Sequence, residues 1–177
     1  NERLVVRRLI DACAQLDYPS DRIMIQVLDD STDETKTIAR SQVAYQQERG
    51  VNISYHHRDK RDGFKAGALS AAMSQTTAEF VVIFDADFLP DKSYLKDVIP
   101  KFSDPDVGMV QTRWGHLNDT HSILTRSQAI ALDGHFIVEQ TVRSRSNLFF
   151  NFNGSAGIWR RKCIEESGGW HADTVAE

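Results

Sequence analysis

Apolar residues recur along this chain in two alternating patterns, a helical period and short unbroken runs. That alternation predicts an α/β fold with a mainly parallel central sheet flanked by helices. Leu4, Val5, Leu9, Ile10, Ala12, Cys13 and Leu16 mark one face of a first helix, which ends at Tyr18-Pro19 because the residue before proline disfavours helical geometry. Ile23 to Leu28 then reads as a buried strand. In Asp29-Asp30-Ser31-Thr32-Asp33-Glu34 the spacing of Ser31 and Glu34 is that of a capping box, which predicts a helix running toward Gln47. Val51 to His56 reads as a second strand and Phe80 to Phe84 as a third; between them Lys65 to Met73 is a short helix whose small residues suit close packing on a sheet. Farther on, Ser93 to Phe102 predicts a helix and Val107 to Thr112 a strand. From His121 to Arg145 runs a helical stripe of Ile123, Leu124, Ile130, Leu132, Phe136, Ile137 and Val142, with Gly134 as its weak point. Leu148 to Phe152 is apolar and aromatic, and Arg160 to Glu166 predicts a helix ended by Gly168-Gly169.

The pattern sets two acidic clusters, Asp29-Asp30 and Asp85/Asp87, at the carboxyl ends of predicted strands, the edge where open α/β sheets bind ligands. On an extended segment residues two apart share a face, about 6.5 Å between Cα atoms at ~3.3 Å per residue, so Asp85 and Asp87 can address one cation. A hard divalent ion takes one or two carboxylates and completes its shell with phosphate oxygens and water. The same two acids also suit a plain strand end that opens a turn before Pro90. From His56 to Lys65 the chain reads His-His-Arg-Asp-Lys-Arg-Asp-Gly-Phe-Lys. This cationic loop suits either a solvated charge cluster or contact with a diphosphate.

Composition narrows the class. With 177 residues, 41% hydrophobic and 26% charged, one soluble globular domain is expected, and no apolar run approaches the ~20 residues that cross a bilayer. The net charge of -4 argues against a general nucleic-acid surface. Asn1-Glu2-Arg3-Leu4 passes straight into charged residues with no signal-peptide pattern and no initiator Met, so a fragment is expected. Cys13 and Cys163 lie far apart inside predicted helices and read as packed thiols of a reducing compartment.

Taken in order, Val27-Leu28-Asp29-Asp30-Ser31-Thr32-Asp33, Gly63-Phe64-Lys65-Ala66-Gly67, Phe84-Asp85-Ala86-Asp87, Phe152-Asn153-Gly154-Ser155 and Gly168-Gly169-Trp170 closely resemble the family 2 glycosyltransferases, nearest to β-glycan synthases of the cellulose-synthase-like and mannan-synthase type. The resemblance covers essentially the whole chain. It implies the GT-A fold, a Rossmann-like nucleotide-diphospho-sugar transferase domain here truncated at both ends. It also implies transfer of a sugar, with inversion, from a UDP- or GDP-sugar donor to a glycan acceptor, assisted by a divalent metal, Mg²⁺ or Mn²⁺.

By the same resemblance Asp29, with Asp30 beside it, recognises the base or ribose of the donor, and Lys65 faces the diphosphate. Asp85 and Asp87 hold donor and metal. Asn153, Gly154 and Ser155 border the sugar and acceptor, where small residues let backbone approach closely. Trp170 supplies an acceptor-stacking face or is an ordinary core tryptophan. Asp173-Thr174-Val175-Ala176-Glu177 resembles the approach to the family's base motif. Glu177 then stands as neighbour of the base, an aspartate expected beyond it, and Asn1-Glu2 resembles the close of a first strand. Gln111-Thr112-Arg113-Trp114 is one residue short of the family's Gln-x-x-Arg-Trp motif and precedes the base motif, so it reads as a strand end. Flanking membrane spans, with this domain on the cytoplasmic side, are implied for the parent. Two other classes also fit an Asp-x-Asp after an apolar strand: a haloacid-dehalogenase-type phosphatase, and a noncatalytic module binding sugar nucleotide or glycan. The first normally places its motif near the start of the fold.

Overall fold

The computed structural model describes residues 1–149 and 151–172. The first helix, α1 (Val6–Ala14), buries Val6 and Ile10; a 3₁₀ turn at Ser20–Arg22 then leads to β1 (Ile25–Asp29). Next comes α2 (Thr35–Glu48), which buries Ala39 and Val43, and then β2 (Ile53–His57). β1 and β2 pair in parallel, Ile25 with Ile53 through Asp29 with His57. Val6, Ile10, Ala39, Val43 and Ile53 close a first hydrophobic cluster. The expected Ser31/Glu34 capping box does not form. Asp33 Oδ1 accepts the Thr35 N–H at 3.0 Å instead, the Ser31 N–H turns back to Asp29, and Glu34 pairs with Arg3. Asp29 takes the Ser31 N–H that the Glu34 side chain would need to close the box, and both Asp29 and Asp33 bond the N–H two residues ahead, the short reach that aspartate favours.

α3 (Phe64–Met73) buries Ala66, Ala68 and Ala72 and leads to β3 (Phe80–Ile83). The helix foreseen over Ser93 to Phe102 divides into α4 (Tyr94–Val98) and a 3₁₀ stretch, Ile99–Ser103, where Pro100 removes a backbone donor. β4 (Met109–Gln111) follows. β5 (Gly157–Arg160), absent from the sequence reading, lies between β3 and β4 and runs antiparallel to both. β3 and β4 therefore point the same way, while their pairing goes through a reversed central strand. Ile158 at its middle is 0% exposed and joins Leu95, Val98 and Phe102 in a second cluster. α7 (Arg161–Glu166) continues directly from β5 and ends at Gly168 and Gly169, both with positive φ, with the Gly169 N–H bonded to the Ile164 carbonyl at 2.9 Å.

Between β4 and β5 a helical rod spans α5 (Ile123–Asp133), a π-helical stretch (Gly134–Gln140) and α6 (Thr141–Arg145). Ser122 and Thr125 form the capping box at its start, and the change of helix type falls at the predicted weak point, Gly134. Phe136 and Gln140 are buried, but Ile123, Leu124, Ile130, Ile137 and Val142 of the expected core stripe are more than half exposed or close to it. A rod of this span is about 35 Å long at ~1.5 Å per residue, whereas strands of three or four residues reach only about 10–13 Å. Phe136 instead packs edge-on against Trp114, in the chain after β4, 5.7 Å between ring centres.

Candidate functional site

β1 delivers Asp29 as its last residue, level with His57 across the parallel pair. Asp29 is 7% exposed, and each of its carboxylate oxygens has a partner. One oxygen accepts the Ser31 N–H at 3.0 Å; the other accepts the Tyr55 hydroxyl at 2.6 Å and lies 3.3 Å from His57 Nδ1. Burial pushes this carboxyl up, yet the hydrogen bonds from Ser31, Tyr55 and His57 outweigh it and hold the group below its ordinary value. Tyr55 moves the other way, its phenol raised by burial and then by the bond to Asp29 and its charge. Asp29 is therefore an anion held in a fixed orientation.

Asp30 faces the opposite partner. Arg58 Nε donates to Oδ1 at 2.9 Å and Nη2 to Oδ2, a forked pair, and the same guanidinium reaches the carbonyls of Asp62 at 2.9 Å and Phe64 at 2.7 Å. Asp30 raises the Arg58 pKa through this bond. Thus Arg58, part of the cationic loop, clasps that loop onto β1. A pocket of about 230 Å³ opens beside both acids, lined by Val27 to Thr32, Asn1, Glu2, Arg61 and Ala86. Ala86 links it to the second acid pair.

β3 stops at Ile83, and Asp85 to Phe88 form a turn closed by the Phe88 N–H on the Asp85 carbonyl at 3.0 Å. Asp85 and Asp87 are thus presented by a turn, not by the pleat of an extended strand, which corrects the spacing argument made from the sequence. The Asp85 carboxylate accepts Lys65 Nζ at 2.6 Å; Nζ also donates to the Gly154 carbonyl at 2.7 Å. The Asp85 N–H donates to Ser155 Oγ at 2.8 Å, and Ser155 is buried. One cation therefore joins α3, the turn after β3 and the segment before β5. Asp87 is exposed, its carbonyl 3.5 Å from Arg8 Nη2.

The segment 153–156 is tied down on its other side by Gln111, whose Oε1 accepts the Asn153 N–H at 3.0 Å. Asn153 Oδ1 lies 3.3 Å from His135 Nε2 and accepts Gln140 Nε2 at 3.1 Å. Trp170 donates through Nε1 to Met73 Sδ at 3.1 Å and sits edge-on to Trp159, 6.1 Å between ring centres. Glu177 lies outside the described residues. Lys65, Asp85, Gly154 and Ser155 thus meet, and Asp29 and Asp30 border the adjoining pocket. Sequence reading missed Tyr55, took His57 and Arg58 only as part of a cationic loop without their bonds to Asp29 and Asp30, and read Gln111 as a strand end. Parallel pairing with a period of two would have placed Tyr55 and His57 on the Asp29 side of the sheet.

Among the described residues no group of three or more His, Cys, Asp and Glu side chains could hold a metal ion. Asp85 and Asp87, two carboxylates on one turn, have the donor chemistry of a hard divalent ion that completes its shell from a phosphate, and not that of a closed protein cage. Among the described residues no helix is long and apolar enough to cross a membrane.

The sequence model described as Glycosyl transferase family 2 matches residues 1–166. The chain belongs to glycosyl transferase family 2. Among its family 2 relatives, glucomannan 4-beta-mannosyltransferase 2 of Arabidopsis thaliana is 46% identical over 182 aligned positions, covering 100% of this chain and 34% of that protein. Probable glucomannan 4-beta-mannosyltransferase 10 of the same plant is 43% identical, covering 100% of this chain and 33% of that protein. The chain spans about one third of the length of these relatives. Among solved structures, S. aureus TarS 1-349 superposes with a TM-score of 0.55 at 23% identity, over 67% of this chain and 34% of that one. That likeness, with the family match, establishes the GT-A fold as the α/β architecture of this chain. The family favours neither the phosphatase nor the noncatalytic reading.

Proposed function

We propose that this chain is the donor-binding part of an inverting glycosyltransferase that extends a β-linked polysaccharide with mannosyl residues from a UDP- or GDP-sugar. The observation that carries the reading is the junction at Lys65, where one ammonium meets the Asp85 carboxylate and the Gly154 carbonyl. The mannosyl assignment is supported by the names of the relatives, glucomannan 4-beta-mannosyltransferases. The nucleoside lies in the pocket beside Asp29 and Asp30, where a fixed carboxylate accepts ribose hydroxyls or a base imide proton.

Asp85 and Asp87 would hold a divalent cation together with the donor diphosphate, and a bound cation would supply neutralising charge to the departing phosphates. Lys65 compensates Asp85 while the site is without donor and adds its charge to the leaving diphosphate once donor is present. Asn153, Gly154 and Ser155 line the transferred sugar, and Trp170 flanks the acceptor. An acceptor hydroxyl attacks the anomeric carbon opposite the diphosphate. A new C–O bond forms, the bond to the diphosphate breaks with its electron pair, and the hydroxyl proton passes to a carboxylate base. The resemblance gives that last role to an aspartate after Glu177. In the parent protein the domain works on the cytoplasmic side of a membrane.

The test uses the full-length parent with labelled donor and oligosaccharide acceptor. Asp87→Ala is expected to lower transfer roughly 100-fold, the scale of losing one preorganised charge contact. Undiminished transfer by Asp87→Ala removes the metal and diphosphate assignment, and tight donor binding by a wild-type parent that never transfers returns the noncatalytic reading.

A further inference from the structure

Gln111 opens the Gln-Thr-Arg-Trp string that the resemblance left without a role. It is the last residue of β4, level with Gly157 of β5. Its side-chain amide behaves as an extra peptide group laid against the segment before β5. Oε1 accepts the Asn153 N–H at 3.0 Å, while Nε2 lies within donating distance of the carbonyls of Ser155 at 3.0 Å, Ala156 at 3.2 Å and Thr112 at 3.1 Å.

That segment needs such a support. Gly154 has φ +76° and Ala156 φ +53°, left-handed conformations that an L residue such as Ala156 rarely adopts and that persist only where surrounding contacts impose them. Between these two bends sit the groups that face the acid turn. The Gly154 carbonyl accepts Lys65 Nζ, and Ser155 Oγ accepts the Asp85 N–H. Gln111 holds both sides of this span through one planar amide and has no bond of its own to Lys65 or Asp85.

We propose that Gln111 is a positioning residue of the donor site, setting Gly154 and Ser155 so that Lys65 and Asp85 meet the diphosphate at a fixed separation; this rests on the donor-site reading above. The chemistry demands a side chain that accepts at one atom and donates at the other, 2.3 Å away by its own covalent geometry (roughly the O to N span of any primary amide). An ionised glutamate has the shape but no donor, and it sets negative charge against the carbonyls of Thr112, Ser155 and Ala156. A protonated glutamate regains one O–H donor and one acceptor. The carbonyl surroundings favour that neutral form and raise its pKa.

The experiment compares Gln111→Glu and Gln111→Leu with wild type in the full-length parent, measuring kcat, KM for the donor and nucleoside diphosphate affinity from about pH 5 to about pH 8.5, with thermal melting as a control. Gln111→Glu is expected to lose roughly tenfold in kcat/KM at the alkaline end and to regain most of it as the pH falls, relative to wild type at each pH. Gln111→Leu is expected to be impaired to a similar degree without the regain. A Gln111→Glu profile parallel to wild type overturns the inference. So does a pH-independent loss that merely follows a fall in melting temperature. A wild-type parent that neither binds nor transfers donor overturns the donor-site reading itself, and with it this inference; normal wild-type turnover with an indifferent Gln111→Glu overturns the inference alone.

Discussion

Asp29 is buried but stays charged because three groups point hydrogens at it. Since its carboxyl is more acidic folded than unfolded, the folded state binds fewer protons near that range. The stabilisation is complete above the unfolded value, about 3.9, and disappears as the pH falls through the lower folded value. Asp29→Asn removes the charge and turns an amide toward the Tyr55 hydroxyl. At neutral pH it should cost about 1–3 kcal/mol, the scale for disturbing buried hydrogen bonds to a charged group. Urea melts repeated from about pH 7 to about pH 3 should show wild type converging on Asp29→Asn at the acid end; a gap that stays constant would mean that the carboxylate charge contributes nothing. The acids themselves were legible in the sequence as ends of apolar runs. Their partners were not, because Tyr55 and Arg58 come from β2 and the loop after it, and only the pairing of β1 with β2 brings them there.

At the scale of elements, α3 and the cationic loop depend on Gly67. A Cβ there would stand 2.1 Å from the Asp62 carbonyl oxygen and 3.0 Å from Arg58 Nη1, so backbone would have to move. The Gly67 N–H bonds to the Gly63 carbonyl at 2.8 Å, and Gly63 has φ +70°, which winds the loop tightly onto the first turn. Gly67→Ala gains up to about 1 kcal/mol of helix propensity. Overpacking at this contact should reverse that, for a net loss of about 1–3 kcal/mol. Chemical denaturation should report the loss, and calorimetry should show weaker donor binding as the Arg58 clasp opens; a variant that is more stable and binds normally would show that the loop tolerates displacement. Most element types were read correctly from periodicity, since the α/β alternation is local. β5 escaped because Gly157-Ile158-Trp159-Arg160 opens on glycine and closes on arginine with only two apolar residues between them, and both its partners lie at least 46 residues earlier, by the pairs Gln111 with Gly157 and Phe80 with Arg160.

For the whole molecule, the site forms where two packed clusters meet. Asp29 and Asp30 belong to the β1–β2 side, Asp85 and Ser155 to the β3–β5–β4 side, and α3 carries Lys65 between them. The clusters are joined by chain that crosses from one to the other. Leu16, Tyr18 and Ile23, which connect α1 to β1, pack into the second cluster, and the Asp17 N–H bonds to the Lys92 carbonyl at 2.8 Å. Loss of packing in the second cluster should therefore reach the first. Ile158→Ala empties the centre of that cluster and is expected to cost about 2–5 kcal/mol, while Ile158→Val costs about 0.5–1.5 kcal/mol. Whatever the starting stability, the first change raises the open population by roughly 30-fold or more and the second by only about 2- to 13-fold. Amide hydrogen exchange then discriminates. If the clusters are one cooperative unit, Ile158→Ala should accelerate exchange in β1 and β2 as well as in β3 and β4, and donor affinity should fall with it. Acceleration confined to β3, β4 and β5 would show two separable units. In that case Asp29 would keep its bonded orientation while Asp85 lost its own.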